Sequence, residues 1–298
     1  MARQIRVTES DTALKFSSQY VAEDLGFFAD EGLDVTCEVD AGPAGSWLVD
    51  NLIGRKAEVA LGGIWLPLMY RQFGLGDFVP FAAACHRNPA IVLGRSPMPE
   101  GPFSWDMLYG KRLLLSLAAT SQWMFLEGRL RALGVDLSRI HFVRDLHIHT
   151  THTLWRGGYA DFYLVEPLTA EPLIGEGYSV AFTLAETMGE VPWSVFYTRG
   201  DLIDDTSRPI VRFKAAIERA NRWLIESPVS DVSALLGRRF RQAGGCAIEN
   251  VVTRFKATGV WRLTNEIDRG ASAAYQDIML NYGLLDRHEP IRELQMAV

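Results

Sequence analysis

Through the first 200 residues, the apolar positions switch back and forth between two spacings. Ile5–Thr8, Leu33–Val39, Ala57–Leu61 and Phe78–Ala84 are short apolar or alternating runs and read as strands. Between them, apolar residues recur three and four apart, which predicts helices over Lys15–Asp30, from the Ala41–Ser46 turn to Gly54, and over Trp65–Phe73. In the first helix Tyr20, Val21, Leu25 and Phe28 share a stripe, the polar turn Glu9-Ser10-Asp11-Thr12 can cap it, and Gly32 stops it. The rhythm breaks at Cys85-His86-Arg87-Asn88-Pro89 and starts again. The second series has strands at Ala90–Gly94, Lys111–Leu117, Ile140–Arg144, Asp161–Val165 and Tyr178–Phe182. Its helices are Thr120–Leu133, His149–Trp155 and Pro167–Gly175, and a Pro- and Gly-rich loop follows Gly94. Trp193–Thr198 leads back, and from Ser207 onward the chain reads helical, over Pro209–Ser227, Ala247–Thr258 and Glu266–Tyr282.

Strands alternating with helices of this length predict an α/β protein with mostly parallel sheets flanked by helices. Two such series imply a two-lobed fold with two hinge crossings, near residues 86–92 and 188–196. Residues 1–87 and 194–298 form the first lobe, with the C-terminal helices returning to it, and residues 88–193 form the second. Ligands of open α/β sheets bind beyond the carboxyl ends of the strands, which here places a cleft between the lobes.

Composition narrows the partners. With 298 residues, 48% hydrophobic and 22% charged, the chain suits two lobes. A net charge of −6 with no basic run argues against nucleic acid, and no apolar run reaches the roughly 18 residues of a membrane span. Cys37, Cys85 and Cys246 are too scattered for a disulfide framework or a zinc pattern. Residues 1–8 carry no secretory leader, which places the protein in the cytoplasm as written, or outside it if a leader was removed. A monomer without cofactor is expected.

Three runs resemble the type II periplasmic-binding-protein superfamily, in its sulfonate, nitrate and taurine-binding and thiamine-precursor branch. They are Gly26-Phe-Phe-Ala-Asp-Glu-Gly-Leu-Asp-Val35, Gly54-Arg-Lys-Ala-Glu-Val-Ala60, and Leu154 through Asp161 to Glu166-Pro167. Glu58 stands where that family usually carries Asp. The resemblance implies hinged closure over a small molecule, delivered in most members to an ABC permease. A minority of members are soluble enzymes, among them pyrimidine synthases, an aromatic sulfinate desulfinase and decarboxylase-like proteins.

The candidate ligand-binding residues cluster at predicted strand ends. Trp47, Trp65, Trp123 and Trp193 could line the cleft with flat faces, although each could equally pack a helix onto its sheet. Ser10-Asp11-Thr12, Ser46 and Thr120-Ser121 precede helices whose free N–H groups bind anions, or simply cap them. Gly62-Gly63 permits close backbone approach, and Arg87, then Arg199, could grip an anion. The resemblance implies that Glu166 faces the cleft. Cys85 beside His86 is a candidate catalytic pair, weakened because adjacent residues of an extended chain point to opposite faces. His147, His149 and His152 do not make up a complete metal set, since only Asp145 lies near them. The iron-binding cysteine cluster of the pyrimidine synthases is missing. The expected function is capture of a small aromatic or heterocyclic anion, a sulfonate, carboxylate or pyrimidine-like molecule, for an importer. The other reading is a cofactor-free cytosolic decarboxylase or C–S/C–N hydrolase acting on an aromatic acid.

Overall fold

A computed structural model describes residues 2–40, 46–98, 101, 103–115, 120–292 and 294, leaving aside the side chains of Ser46 and Thr120. The first series gives β1 (Arg3–Glu9), α1 (Ser17–Asp24), α2 (Phe27–Asp30), β2 (Leu33–Val39), α3 (Ser46–Ile53), β3 (Val59–Gly62), α4 (Trp65–Gln72) and β4 (Phe78–Cys85). The second gives β5 (Ile91–Gly94), β6 (Arg112–Leu115), α5 (Thr120–Ala132), β7 (His141–Val143), α6 (Ile148–Arg156), β8 (Phe162–Val165), α7 (Pro167–Gly175), β9 (Ser179–Thr183) and α8 (Leu184–Thr187). Then follow β10 (Ser194–Arg199), α9 (Gly200–Ile203), α10 (Pro209–Glu226), α11 (Val229–Gly237), α12 (Gly245–Thr258) and α13 (Arg269–Asn281).

The strands form two five-stranded sheets, β2-β1-β3-β10-β4 and β7-β6-β8-β5-β9. The two orders are the same pattern read twice. In each sheet, four strands run one way and the fourth position is reversed, held by β10 in the first and β5 in the second. Each reversed strand is the first one the chain forms after crossing between sheets. Because the other four are parallel, their carboxyl ends share one edge, and the loops that follow Glu9, Gly62, Cys85, Val165 and Thr183 carry the side chains that matter.

The predicted helix over 15–30 is two helices. A 3-10 turn at Leu14–Phe16 precedes α1, and Gly26 at φ 75° separates it from α2. The C-terminal helices divide their contacts. α10 packs on α1 and α2, whereas α12 packs against α7 and α13 against α5, both helices of the second series. The segment between α12 and α13 covers the outer edge of β4: the Ala83 N–H donates to the Asn265 carbonyl at 2.7 Å and the His86 N–H to the Val260 carbonyl at 2.9 Å.

Candidate functional site

Lys15 lies in the turn that follows β1. Flanked by Leu14 and Phe16, it is drawn inward until the residue is only 8% exposed. Its ammonium donates to Asp11 Oδ2 at 3.2 Å and sits 4.9 Å from the centre of the Phe16 ring. Burial alone would lower its pKa, but Asp11 and, from the end of β8, Glu166 more than offset that and the pKa is raised. Glu166 follows β8 as the N-cap of α7, and its side chain does not cap that helix. Its carboxyl is shifted up, first by burial and then by Asp11, with Lys15 acting against both. The ends of β1 and β8, from two different sheets, therefore put a buried cation and a half-buried carboxyl in each other's electrostatic field.

Two further groups adjoin them. Cys85, the last residue of β4, is fully buried and hydrogen-bonded to Ser194, its pairing partner on β10. Burial pushes its thiol up to about 12, which leaves it protonated and a poor nucleophile near neutral pH. Glu9, which ends β1, is 2% exposed and accepts from the Tyr20 hydroxyl at 3.2 Å. Burial raises its carboxyl to about 7.

The other sequence candidates have individual fates. No regular helix begins at Ser10-Asp11-Thr12; the 3-10 turn intervenes, Asp11 and Thr12 are exposed, and Asp11 serves Lys15 instead of a helix end. Ser46 and Thr120 lie outside the side chains described, as do the whole residues 41–45 and 116–119, while Ser121 is half-buried on α5. Gly63 supports Trp65: a Cβ there would lie 2.6 Å from the indole Cδ1, so the ring rests on the glycine backbone at the end of β3. Trp47 is 53% exposed on α3. Trp123 packs edge-on against Phe142, with the Arg144 guanidinium 4.7 Å from its ring, and Trp193 packs in the core on Phe125.

Arg87 is held at the first crossing, donating to the Ala185 carbonyl at 2.8 Å and lying 3.7 Å from Glu190. Arg199 sits at the other end of the sheet. β10 runs antiparallel, so its last residue pairs with Phe78 at the start of β4, and Arg199 donates to Asp201 and to the Leu52 and Ala57 carbonyls. Buried His86 donates from Nε2 to the Thr264 carbonyl at 3.0 Å. Burial and then Arg262 lower its pKa to about 4, so its ring is neutral near pH 7. His147 caps α6, its Nδ1 accepting from the His149 N–H, and His152 accepts from Arg156. No cluster of metal-ligating residues forms among the described residues.

Lys15 and Ser194 escaped the sequence reading. The usable signal for Lys15 is a lone cation inside the apolar run Ala13-Leu14-Lys15-Phe16, four residues after an Asp.

Comparison with known proteins places this architecture. A family model described as NMT1/THI5 like matches residues 14–230. The "Putative binding protein YtlA" of Bacillus subtilis (strain 168) is 24% identical over 295 residues, which is 98% of this chain and 87% of that one. The periplasmic aliphatic sulphonate binding protein SsuA of Escherichia coli matches with a TM-score of 0.75 over 96% of this chain and 95% of its own, at 14% identity. The desulfurization enzyme DSZB matches with a TM-score of 0.67, over 96% and 94%, at 16% identity. A binder and an enzyme thus share the backbone arrangement, and at these identities the likeness is one of fold.

Proposed function

The chain belongs to the NMT1/THI5-like family on a periplasmic-binding-protein-like type II fold, and we propose on that premise that it captures a small aromatic or heterocyclic ligand with an anionic or acceptor end. It closes over the ligand by hinge motion and hands it to an ABC importer. The observation that carries this reading is the Lys15 ammonium just beyond the carboxyl end of β1, its residue only 8% exposed and held by Asp11 at 3.2 Å. A buried ammonium suits the acceptor end of a ligand, and low surrounding polarity strengthens that contact. Trp65, seated on Gly63 beside the same edge, offers a flat face. The relatives described as binding proteins support the same direction. Among the described residues, no helix is long and apolar enough to cross a membrane.

An enzyme working through Cys85 draws no support from the site, because the thiol is buried and its pKa is pushed away from neutrality. The test is a thermal-shift screen against sulfonates, aromatic carboxylates, pyrimidines and nitrate, followed by a turnover assay on each hit. Stabilisation without turnover is expected, with Lys15→Met and Trp65→Ala each weakening the hit by roughly tenfold, the scale of one charge-assisted or aromatic contact. Undiminished affinity in both variants would remove the cleft from consideration.

A further inference from the structure

A groove runs between α5 and α13, away from the strand ends. Gly128 and Ala132 of α5, Ala274 and Ile278 of α13, and Tyr282 just past the end of α13 line a cavity of about 580 Å³, a volume in the range of small-molecule sites. On α13 the lining residues Ala274, Asp277, Ile278 and Asn281 recur at helical spacing, so a single stripe of that helix forms the wall. Arg129 completes the α5 side, nine residues into the helix and roughly 13 Å along its axis from the first residue. It is half-buried, and its Nη2 rests on the second crossing, where a Cβ at Gly189 would lie 2.5 Å from it. Among the described residues Arg129 has no hydrogen bond, ion pair or ring contact. Every other buried or half-buried lysine or arginine among them has a hydrogen bond. Burial lowers the Arg129 pKa with nothing acting against it, and a guanidinium stays charged all the same. The carboxylates of the groove are already engaged, Glu127 by Arg131 at 2.7 Å and Asp277 by His288 at 2.8 Å. A charge drawn partly out of water without a counter-charge is costly.

We propose that the α5–α13 groove is a second binding site, separate from the cleft, for a small aromatic monocarboxylate anchored on Arg129. The carboxylate supplies the counter-charge that Arg129 lacks, and the planar guanidinium fork matches its two oxygens. The ring lies against Ala132, Ala274 and the partly exposed Tyr282, an apolar surface with one aromatic face. One charge is the right number. Only Arg129 is unmatched in the groove, and a second carboxylate would meet Glu127 and Asp277, whose own cations are spent on them. The absent side chain of Gly128 lets the two helices approach closely, which gives the groove its floor.

The experiment is calorimetric titration of the full chain with benzoate and with benzamide, its neutral twin. A benzoate phase is expected that is at least about tenfold tighter than benzamide, the scale of one hydrogen bond to a charged group. Arg129→Gln should weaken that phase by the same factor and leave benzamide within about threefold. Lys15→Met takes the ammonium from the cleft and should leave the phase unchanged. Ala132→Phe adds bulk to the groove from an exposed position and should abolish the phase, which keeps the test decisive if Arg129→Gln fails to fold. Benzoate binding that is lost in Lys15→Met and kept in Arg129→Gln belongs to the cleft alone and overturns the inference. Equal affinity for the two probes overturns it, as does affinity untouched by Ala132→Phe or no binding of benzoate at all.

Discussion

Glu9 closes β1 with its carboxyl out of water and, among the described residues, the Tyr20 hydroxyl in contact and no cation. Its folded pKa of about 7 lies above the ordinary 4.5, so the folded chain holds this proton more tightly than the unfolded chain does. Stability should therefore fall as pH rises from about 4.5 to about 7 and level off above, with a total on the order of 3 kcal/mol. Glu9→Gln keeps an acceptor for Tyr20 and removes the titration. Its urea midpoint should match that of the native chain near pH 4.5 and exceed it at pH 8; parallel profiles would show that the carboxyl is not destabilising. At this scale the sequence was least readable. Gly62-Gly63 and Glu166 stand out because small or charged residues interrupt apolar runs. Lys15 interrupts such a run too, but for it and for Glu9 the direction is hidden, because whether a charged residue beside a strand end faces water or the interior depends on what packs across from it. The tryptophans show the converse: Trp193 and Trp123 are near strand ends in sequence, but their rings turn toward Phe125 and Phe142, a choice of rotamer and packing that spacing cannot reveal.

Elements were far more legible, because the switch between two- and 3.6-residue periodicity survives in a single sequence. Pro167–Gly175 and the C-terminal helices fall close to their expected bounds. The failures have local causes. Gly26 breaks the 15–30 helix through a left-handed backbone that the apolar stripe ignores, and the short α8, α9 and α11 have too few turns for a clear period. The α5–α13 contact also depends on an absent side chain. A Cβ at Gly128 would lie 2.5 Å from Ile278 Cγ2. Gly128→Ala gains about 1 kcal/mol of helix propensity but overpacks at a typical cost of about 1–3 kcal/mol, so a net loss of about 1 kcal/mol is expected. In an Ile278→Ala background the obstruction is gone, and the same change should stabilise. Denaturant titrations giving the same sign in both backgrounds would refute the steric account.

At the scale of the molecule, α7 is held from outside its own sheet where the buried Glu171 accepts from Asn250 Nδ2 and Arg254 Nη1 of α12, each at 2.8 Å. Removing one partner strands the other, at a cost of about 2 kcal/mol for a pair on this partly exposed flank. Glu171→Ala should lower stability by that amount and enlarge the radius of gyration in small-angle scattering, as the two halves part. Glu171→Ala and Arg254→Met should couple by at least about 1 kcal/mol in a double-mutant cycle. An additive cycle with unchanged scattering would reduce the clasp to a surface pair. The overall plan was legible because the same strand order occurs twice, but the reach of α12 and α13 to helices of the second series was not, since helical periodicity identifies an apolar face and not the surface that meets it.

The place of β10 has a consequence for how the chain is made. The second sheet is built from one unbroken stretch, β5 to β9, whereas the first waits for a strand that follows all of them and enters between β3 and β4. During synthesis from the N-terminus, β3 and β4 therefore emerge early with facing edges that cannot pair until Ser194–Arg199 leaves the ribosome. Through that interval the half-built sheet has open, apolar borders, Val59–Gly62 and Phe78–Cys85, and unpaired borders of this kind are where nascent chains stick to one another.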